Sequence, residues 1–521
     1  MSFQHGITTK ETATSLVAIK VDSITPTYVG TAPINLGNIK NVNEPILCYS
    51  YEEAVAEFGF VKDFENYTLC EAIDAHFSKF GTAPINLGNI KNVNEPILCY
   101  SYEEAVAEFG FVKDFENYTL CEAIDAHFSK FGTAPIVLIN VLDPETNKKN
   151  VTQESVPIGE DNTILIKELG ILKDTITLNP PKEFTAEFDD DGNVLLVITD
   201  SEIPEDRNVQ ITFDKLDPST VESDAIIGGI DGLTGKKKGL ECISLVFPKY
   251  RLVPNPILAP KFSTDSTVAA VMETKASLIN GHFKAIALVD IDTTTVTKYS
   301  DAVSNKNTNN INSTYIDVSY PKVALGDTQY HLSTQKACII QKLAFENDSI
   351  PYKSPSNESL KADRTCLANG TDILLGIDEA NYLNGNGINT AINWINGWVA
   401  WGNRASCYPG NTDPKDCFIA SRMMFNFLTN SIVQTFWQKV DDPTNTNLIN
   451  AIKNNINIWL NGLQAAGKII GGRIEFRAED NPLTSLIDGK IKFKIYFSPA
   501  LPAEEIAFDL EIDTEYYNSL F

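Results

Sequence analysis

One stretch of this chain occurs twice in succession without a single change: Gly30–Ile85 is repeated as Gly81–Ile136, a period of 51 residues. Two identical segments cannot share one place in a core. Solenoid units diverge in sequence and need about three or more copies to bury a continuous core, so a perfect pair predicts one copy built into the fold and one redundant to it. Each copy reads strand, helix, helix. Ser50 with Glu53, and Thr68 with Glu71, have capping-box spacing, and Gly59 closes the first helix. Leu69, Ala72, Ile73, His76 and Phe77 share one helical face. The copies join through Gly-Thr-Ala-Pro-Ile, which also follows the second as Gly132–Ile136, so recombination at that short homology is the simplest origin.

The 521 residues exceed a single ordinary domain, and 43% hydrophobic content is ample for several cores. A formal charge of −26 argues against nucleic-acid phosphates and anionic membrane surfaces as partners. Each repeat carries three lysines and eight acids, so its loss would leave that sign unchanged. No apolar run reaches the roughly 18 residues of a membrane span. The opening Met1-Ser-Phe-Gln-His-Gly does not read as a signal peptide. Nine scattered cysteines without a CxxC pair predict reduced thiols rather than disulfides or a metal site.

The two ends of the chain share a pattern. Ile506, Phe508, Leu510 and Ile512 alternate with Ala507, Asp509, Glu511 and Asp513, the period of a strand with one buried face. Pro499 and Pro502 precede it as a stiff link, and Thr514–Phe521 are too few to return a strand against it. Such a strand needs a sheet edge, either in its own domain or in a neighbouring copy. Val17, Ile19 and Val21 alternate in the same way near the N-terminus.

Between these ends the pattern predicts an α/β (α+β) multidomain chain. An N-terminal arm (1–23) leads into the first part of an α/β core (24–143), which contains both copies (31–81 and 82–132). An inserted small β domain (144–223) holds strands at Thr163–Ile166, Thr175–Leu178, Phe184–Phe188, Val194–Thr199 and Val209–Phe213. A central α/β domain (224–344) follows with a strand at Ile257–Ala259, a helix over Ser266–Leu278 and a strand at Ala285–Val289. A C-terminal α+β domain (345–500) and a C-terminal arm (501–521) complete the chain. Trp394, Trp398 and Trp401 are spaced for one helical stripe. Amphipathic helices are expected over Ile419–Trp437 and Leu448–Leu463, the second burying Leu448, Ile452, Ile456, Trp459, Leu460 and Leu463 and stopped by Gly467 and Gly471-Gly472.

Catalytic motifs are missing from the sequence. There is no GxSxG elbow, HExxH helix or GxGxxG after a strand. Gly235-Lys236 lacks the earlier glycine and the Ser/Thr of a P-loop, and Asp189-Asp190-Asp191-Gly192 reads as a hairpin turn rather than a calcium loop. Asp290 and Asp292 end a strand, where a loop or capping role is commoner than catalysis. His76 and His127 fall on an apolar helix face and read as core; His5, His282 and His331 have no partner singled out by spacing. No catalytic, cofactor-binding or metal-binding residue is therefore assigned.

Several ordered segments nevertheless resemble one family. They are Tyr28-Val29-Gly30-Thr31-Ala32-Pro33, the Phe58-Gly59 and Tyr67–Phe77 helices, Ile226–Asp231, Leu252-Val253-Pro254 with Leu258-Ala259-Pro260, and Ala287–Asp290. Pro355-Ser356-Asn357, Ala380–Asn389, Trp401-Gly402-Asn403-Arg404 and Pro502–Ile506 continue the series. In that order the chain resembles contractile-tail sheath proteins of contractile-tailed bacteriophages and R-type bacteriocins. The resemblance implies a central domain that is subtilisin-like in name without proteolysis, and a structural subunit of a helical sleeve around a tail tube. It implies that the arm strands, through Val17, Ile19, Val21, Ile506, Phe508, Leu510 and Ile512, add to neighbouring copies. A tube-facing helix would present Lys453, Asn454, Asn457, Asn461 and Gln464. The implied partners are further copies of the chain, the tail tube protein, and baseplate and tail terminator proteins, with no nucleic acid, membrane or cofactor. The particle would assemble in the bacterial cytoplasm and leave on lysis. A baseplate or other assembly subunit, and an α/β hydrolase or peptidase, are the competing expectations.

Overall fold

The computed structural model describes residues 93–188, 193–200, 204 and 207–520. The first repeat with His76, the N-terminal strand Val17–Val21 and the turn Asp189–Gly192 lie outside the described residues.

The second repeat builds the first described unit. Strand β1 (Pro96–Cys99) leads to helix α1 (Tyr102–Phe109), then to helix α2 (Thr119–Ile124), which widens into a π-helical stretch over Asp125–Phe131. Strand β2 (Ile136–Ile139) returns antiparallel to β1. Helix α1 keeps half of the expected box: Ser101 Oγ accepts from Glu104 N at 3.1 Å, but Glu104 Oε2 accepts from Tyr100 N rather than from Ser101 N, and Gly110 closes the helix at φ 71°. The second expected capping box does not form. Thr119 is already inside α2, and Glu122 is buried against His331 instead.

Residues 148–216 form two three-stranded antiparallel sheets around one apolar core. Strands β3 (Lys148–Pro157), β4 (Thr163–Ile166), β5 (Thr177–Asn179), β6 (Phe184–Phe188), β7 (Val194–Ile198) and β8 (Asn208–Leu216) pair as β3-β8-β5 and β4-β7-β6. Ile164, Ile166, Leu196, Ile211 and Phe213 alternate inward and meet between the sheets. β3 escapes sequence reading because Val151 and Val156 are almost its only apolar residues. The strand expected from Thr175 begins later, a 3-10 turn occupying Lys173–Thr175. The glycine-rich stretch becomes a short hairpin, β9 (Gly229–Ile230) against β10 (Lys237–Lys238).

The central sheet is mostly parallel. Strand β11 (Ile257–Leu258), helix α3 (Ser266–Ser277), strand β12 (Ala287–Asp290), helix α4 (Tyr299–Thr308) and strand β13 (Ile316–Ser319) alternate along the chain. After the antiparallel trio β14 (Lys322–Leu325), β15 (Thr328–Tyr330) and β16 (Arg364–Cys366), with helix α5 (Leu332–Phe345) between the last two, comes helix α6 (Ile377–Asn384). Strands β17 (Ile388–Trp394) and β18 (Gly397–Trp401) then extend the sheet to the order β11-β12-β13-β17-β18. All four residues of β12, and of β13, are buried, as in a sheet covered on both faces.

Two expectations fail at this sheet. Residues 388–401 belong to it, so a boundary at 344/345 does not separate the central domain from the C-terminal one. Trp394, Trp398 and Trp401 lie on a β-hairpin rather than a helix, with Asn393 opposite Trp398 and Thr390 opposite Trp401. Spacings of four and three fit either reading; Ile395-Asn396 turn the chain, and Gly397, at φ 82°, pairs with Trp394 where β18 begins.

The last unit packs helix α7 (Ile419–Phe436) and helix α8 (Thr446–Ala465) beside a two-stranded sheet of β19 (Ile469–Glu475) and β20 (Lys494–Pro499). Asn445 caps α8 through Oδ1 to Leu448 N at 2.9 Å. Ile456, Trp459, Leu460 and Leu463 are buried, while Leu448 and Ile452 are half-buried near the helix start. Gly467 follows the helix at φ 69°, but Gly471 and Gly472 do not stop it: they lie in β19. A Cβ on Gly472 would meet a Leu460 methyl at 2.7 Å, so glycine permits the close approach of strand and helix.

Candidate assembly surfaces

Beyond β20 the backbone carries no strand from Ala500 to Asp513. The alternating apolar residues all face solvent: Ile506 is 68% exposed, Phe508 83%, Leu510 97% and Ile512 74%. Four alternating apolar side chains at such exposure make an uncovered apolar stripe. The expected strand is therefore not paired with any described residue of its own chain.

The root of this tail is fixed. Glu504 receives both arms of the Arg404 guanidinium, Nε donating to Oε1 at 2.9 Å and a terminal nitrogen donating to Oε2. Arg404 lies over the Phe418 ring at 3.9 Å and the Tyr408 ring at 4.5 Å. Planar stacking and a forked ion pair hold the side chain in one orientation. Nothing in the sequence spacing joins residues 404 and 504; the clamp is legible only in three dimensions.

The sheet nearest this tail in sequence is open at its edges. β19 and β20 pair only with each other among the described residues, leaving an edge on either side. Above them, α8 presents a face low in charge. Asn454, Asn461 and Gln464 are exposed, and Lys453 and Asn457 are half-buried. Asn457 is partly committed inward, its Oδ1 accepting from Ile474 N at 3.2 Å. Ile458, absent from the expected set, is 70% exposed beside them. Lys453 is the only charged residue of this 20-residue helix, in a chain of net charge −26. Val17, Ile19 and Val21 lie outside the described residues.

The buried polar groups serve packing. Asp290 accepts from Ser333 N at 3.1 Å and from Ser333 Oγ, and burial pushes its carboxyl up. Asp292 accepts from Thr294 N at 2.8 Å, a loop role. Glu122 accepts from His331 N and meets His331 Nδ1, each at 2.7 Å. Burial alone would raise the Glu122 carboxyl, but the His331 imidazole and its hydrogen bonds outweigh it and hold it below the usual range. His331 Nε2 also accepts from Lys261 N at 3.1 Å, tying α2 to the start of the central sheet. His127 is core, as expected: Nδ1 lies 2.9 Å from Gln341 Oε1, and burial lowers the imidazole to about 4. His282 packs against the Trp437 ring at 5.0 Å. Among the described residues no three metal-binding side chains cluster, the cysteines are free thiols, and no helix is long and apolar enough to cross a membrane.

The described chain is an α/β protein whose C-terminal segment and β19–β20 edges are unpaired among the described residues. Comparison with known proteins gives what the chain is similar to. The chain is 26% identical over 466 residues to the tail sheath protein of Burkholderia phage BcepMu, covering 84% of this chain and 92% of that one. It is 31% identical over 145 residues to the major tail sheath protein of Serratia phage KSP20, covering 27% of this chain and 35% of the relative. Among solved structures, the sheath tail protein of Desulfitobacterium hafniense is 11% identical, with 75% of this chain and 87% of that chain covered and a TM-score of 0.44. No family model matches. The chain is thus similar, over most of its length, to a phage tail sheath protein.

Proposed function

We propose that this chain is the subunit of a contractile tail sheath, polymerising as a helical sleeve around a tail tube and shortening to drive the tube through a cell envelope. Its role is structural, not enzymatic. The observation that carries the mode of assembly is the exposed Ile506–Ile512 alternation beyond a fixed root. An exposed strand pattern finds its partner by β-augmentation, and the open β19–β20 edges of a neighbour are the acceptor. The N-terminal pattern of Val17, Ile19 and Val21 supplies the second link. The α8 face with Lys453, Asn454, Asn457, Asn461 and Gln464 meets the tube, a contact that needs no charge complement. Baseplate and terminator proteins close the sleeve at its ends. The particle assembles in the bacterial cytoplasm and is released on lysis.

Contraction follows from linkage that outlasts repacking. Main-chain hydrogen bonds through the arms persist while the globular bodies rotate between an extended packing and a compact one. A difference of only a few kcal/mol per subunit, summed along the sleeve, drives the stroke without nucleotide. The test is electron microscopy of purified protein, intact and lacking residues 506–521. Intact chain forming sleeves and truncated chain remaining folded but unassembled supports the proposal. Sleeves from the truncated chain refute the role of the tail; plates or lattices from the intact chain favour a baseplate-like subunit.

A further inference from the structure

The run leading into β20, and β20 itself, have two chemically distinct faces. Lys490, Lys492 and Lys494 stand at alternate positions, with Ile491, Phe493 and Ile495 between and beside them. Phe493 and Ile495 pack against the apolar cluster that α8 shares with Phe497, so strand alternation puts the lysines on the other face. Lys490 and Lys492 are exposed there, and Lys494 is half-buried with Nζ 5.4 Å over the Tyr496 ring. The Asn481 side chain holds Lys492 by its backbone: Nδ2 donates to Lys492 O and Oδ1 accepts from Lys492 N, each at 2.7 Å.

The tail carries the complementary pattern. Asp509, Glu511 and Asp513 alternate with Phe508, Leu510 and Ile512. In extended chain both charge rows repeat about every 7 Å. A strand laid along β20 with its apolar residues on the α8 side would set one carboxylate near each ammonium. The opposite edge lacks this match: β19 offers Arg473 and Glu475, one of each sign and already paired at 2.8 Å. In a chain of net charge −26, an acidic strand meets like charge on most surfaces, and like charges directly opposite destabilise paired strands.

We propose that the acceptor of the tail is the β20 edge of a second copy, selected by the row of lysines facing the row of acids. This rests on the tail being lent to an adjacent copy, and adds which edge receives it and what chooses that edge. The lysines are free to change partners. Lys490 meets Asp488 at 3.3 Å and Lys492 meets Asp480 at 3.0 Å, while Asp480 keeps Arg477 when Lys492 turns away. Exposed pairs of this kind exchange at little cost.

Carbodiimide cross-linking of assembled full-length chain, mixed from ordinary and heavy-nitrogen preparations, tests it. The reagent joins a lysine amine to a carboxyl as an amide with loss of water. Mass spectrometry should find Lys490, Lys492 or Lys494 joined to Asp509, Glu511 or Asp513 in peptide pairs of mixed isotope. Mixed-isotope links from the tail acids to other lysines only would overturn the β20 assignment and leave the lent tail standing. Links confined to one isotope would overturn both, and tail acids that link to no lysine would overturn the assignment. Charge exchange gives a second measurement. Lys490→Glu with Lys492→Glu and Lys494→Glu should raise the concentration needed for sleeves roughly tenfold, as should Asp509→Lys with Glu511→Lys and Asp513→Lys. All six together should return it to within about threefold of the unmodified chain, and a combined variant no better than either reversal would contradict the pairing.

Discussion

Arg404 gains little from its ion pair as such, because Glu504 is nearly half exposed and exposed pairs contribute about 0–1 kcal/mol. Its value is directional: it sets where the tail leaves the body. Glu504→Ala should therefore shift the melting temperature by less than about 2 °C, since a ΔΔG below 1 kcal/mol moves a large chain little. The same change should raise the concentration needed for assembly several-fold in light scattering. Lys336 and Asp317 are the opposite case. They meet at 2.5 Å with both side chains 1% exposed, and Asn389 Nδ2 donates to the same Asp317 oxygen at 2.6 Å. Lys336→Met leaves a buried carboxylate and should cost about 3–5 kcal/mol in urea unfolding; adding Asp317→Leu should recover most of it. His127 gives the pH dependence. Its folded value of about 4 lies below the ordinary 6.5, so below pH 6.5 the unfolded chain binds a proton that the folded chain refuses. Stability falls as pH drops through that window, by about 2 kcal/mol from His127 between pH 7 and 5. His331, raised overall by Glu122 against the pull of burial, acts in the opposite sense. His127→Gln should remove the fall assigned to His127 while leaving the rest of the profile, measured by urea midpoints at the two pH values.

At the scale of elements, the tail and the body differ in how they hold together. The α7–α8 unit rests on buried side chains such as Leu460 and Ile456, each contributing about 1.5–3 kcal/mol on burial, whereas the apolar side chains of the tail are largely exposed among the described residues. Phe508→Asp with Leu510→Asp should leave monomer stability within about 0.5 kcal/mol, because both sites are exposed. The same pair should abolish sleeves in negative-stain images. Much of this level was legible in the sequence. The α8 periodicity, the Ser101–Glu104 cap, the buried β12 and the alternating strands of residues 163–213 follow from local pattern. Where reading failed, a non-local partner or a competing pattern decided. Glu122 forsakes its cap for a histidine 209 residues away, the tryptophans share a hairpin register that imitates helical spacing, and polar β3 is held by its neighbour β8 rather than by its own side chains. The Arg404–Glu504 clamp, spanning 100 residues, left no local trace.

For the whole molecule, the duplication and the tail bear on different questions. The described β1–β2 unit takes β1 and its helices from the second repeat and β2 from the residues that follow it, and in sequence only that repeat runs on into β2. Removing residues 31–81 should therefore leave soluble yield, melting temperature and sleeve formation unchanged; a loss of soluble protein would mean that both copies are needed. The central claim is the other one, that a segment lent to an adjacent molecule keeps the sleeve linked while the bodies restack. A cryo-electron-microscopy reconstruction of the assembled sleeve tests it most directly. The account predicts residues 506–512 traced as a strand hydrogen-bonded to the β19–β20 sheet of a different subunit; density in which those residues pair only with their own subunit would contradict it.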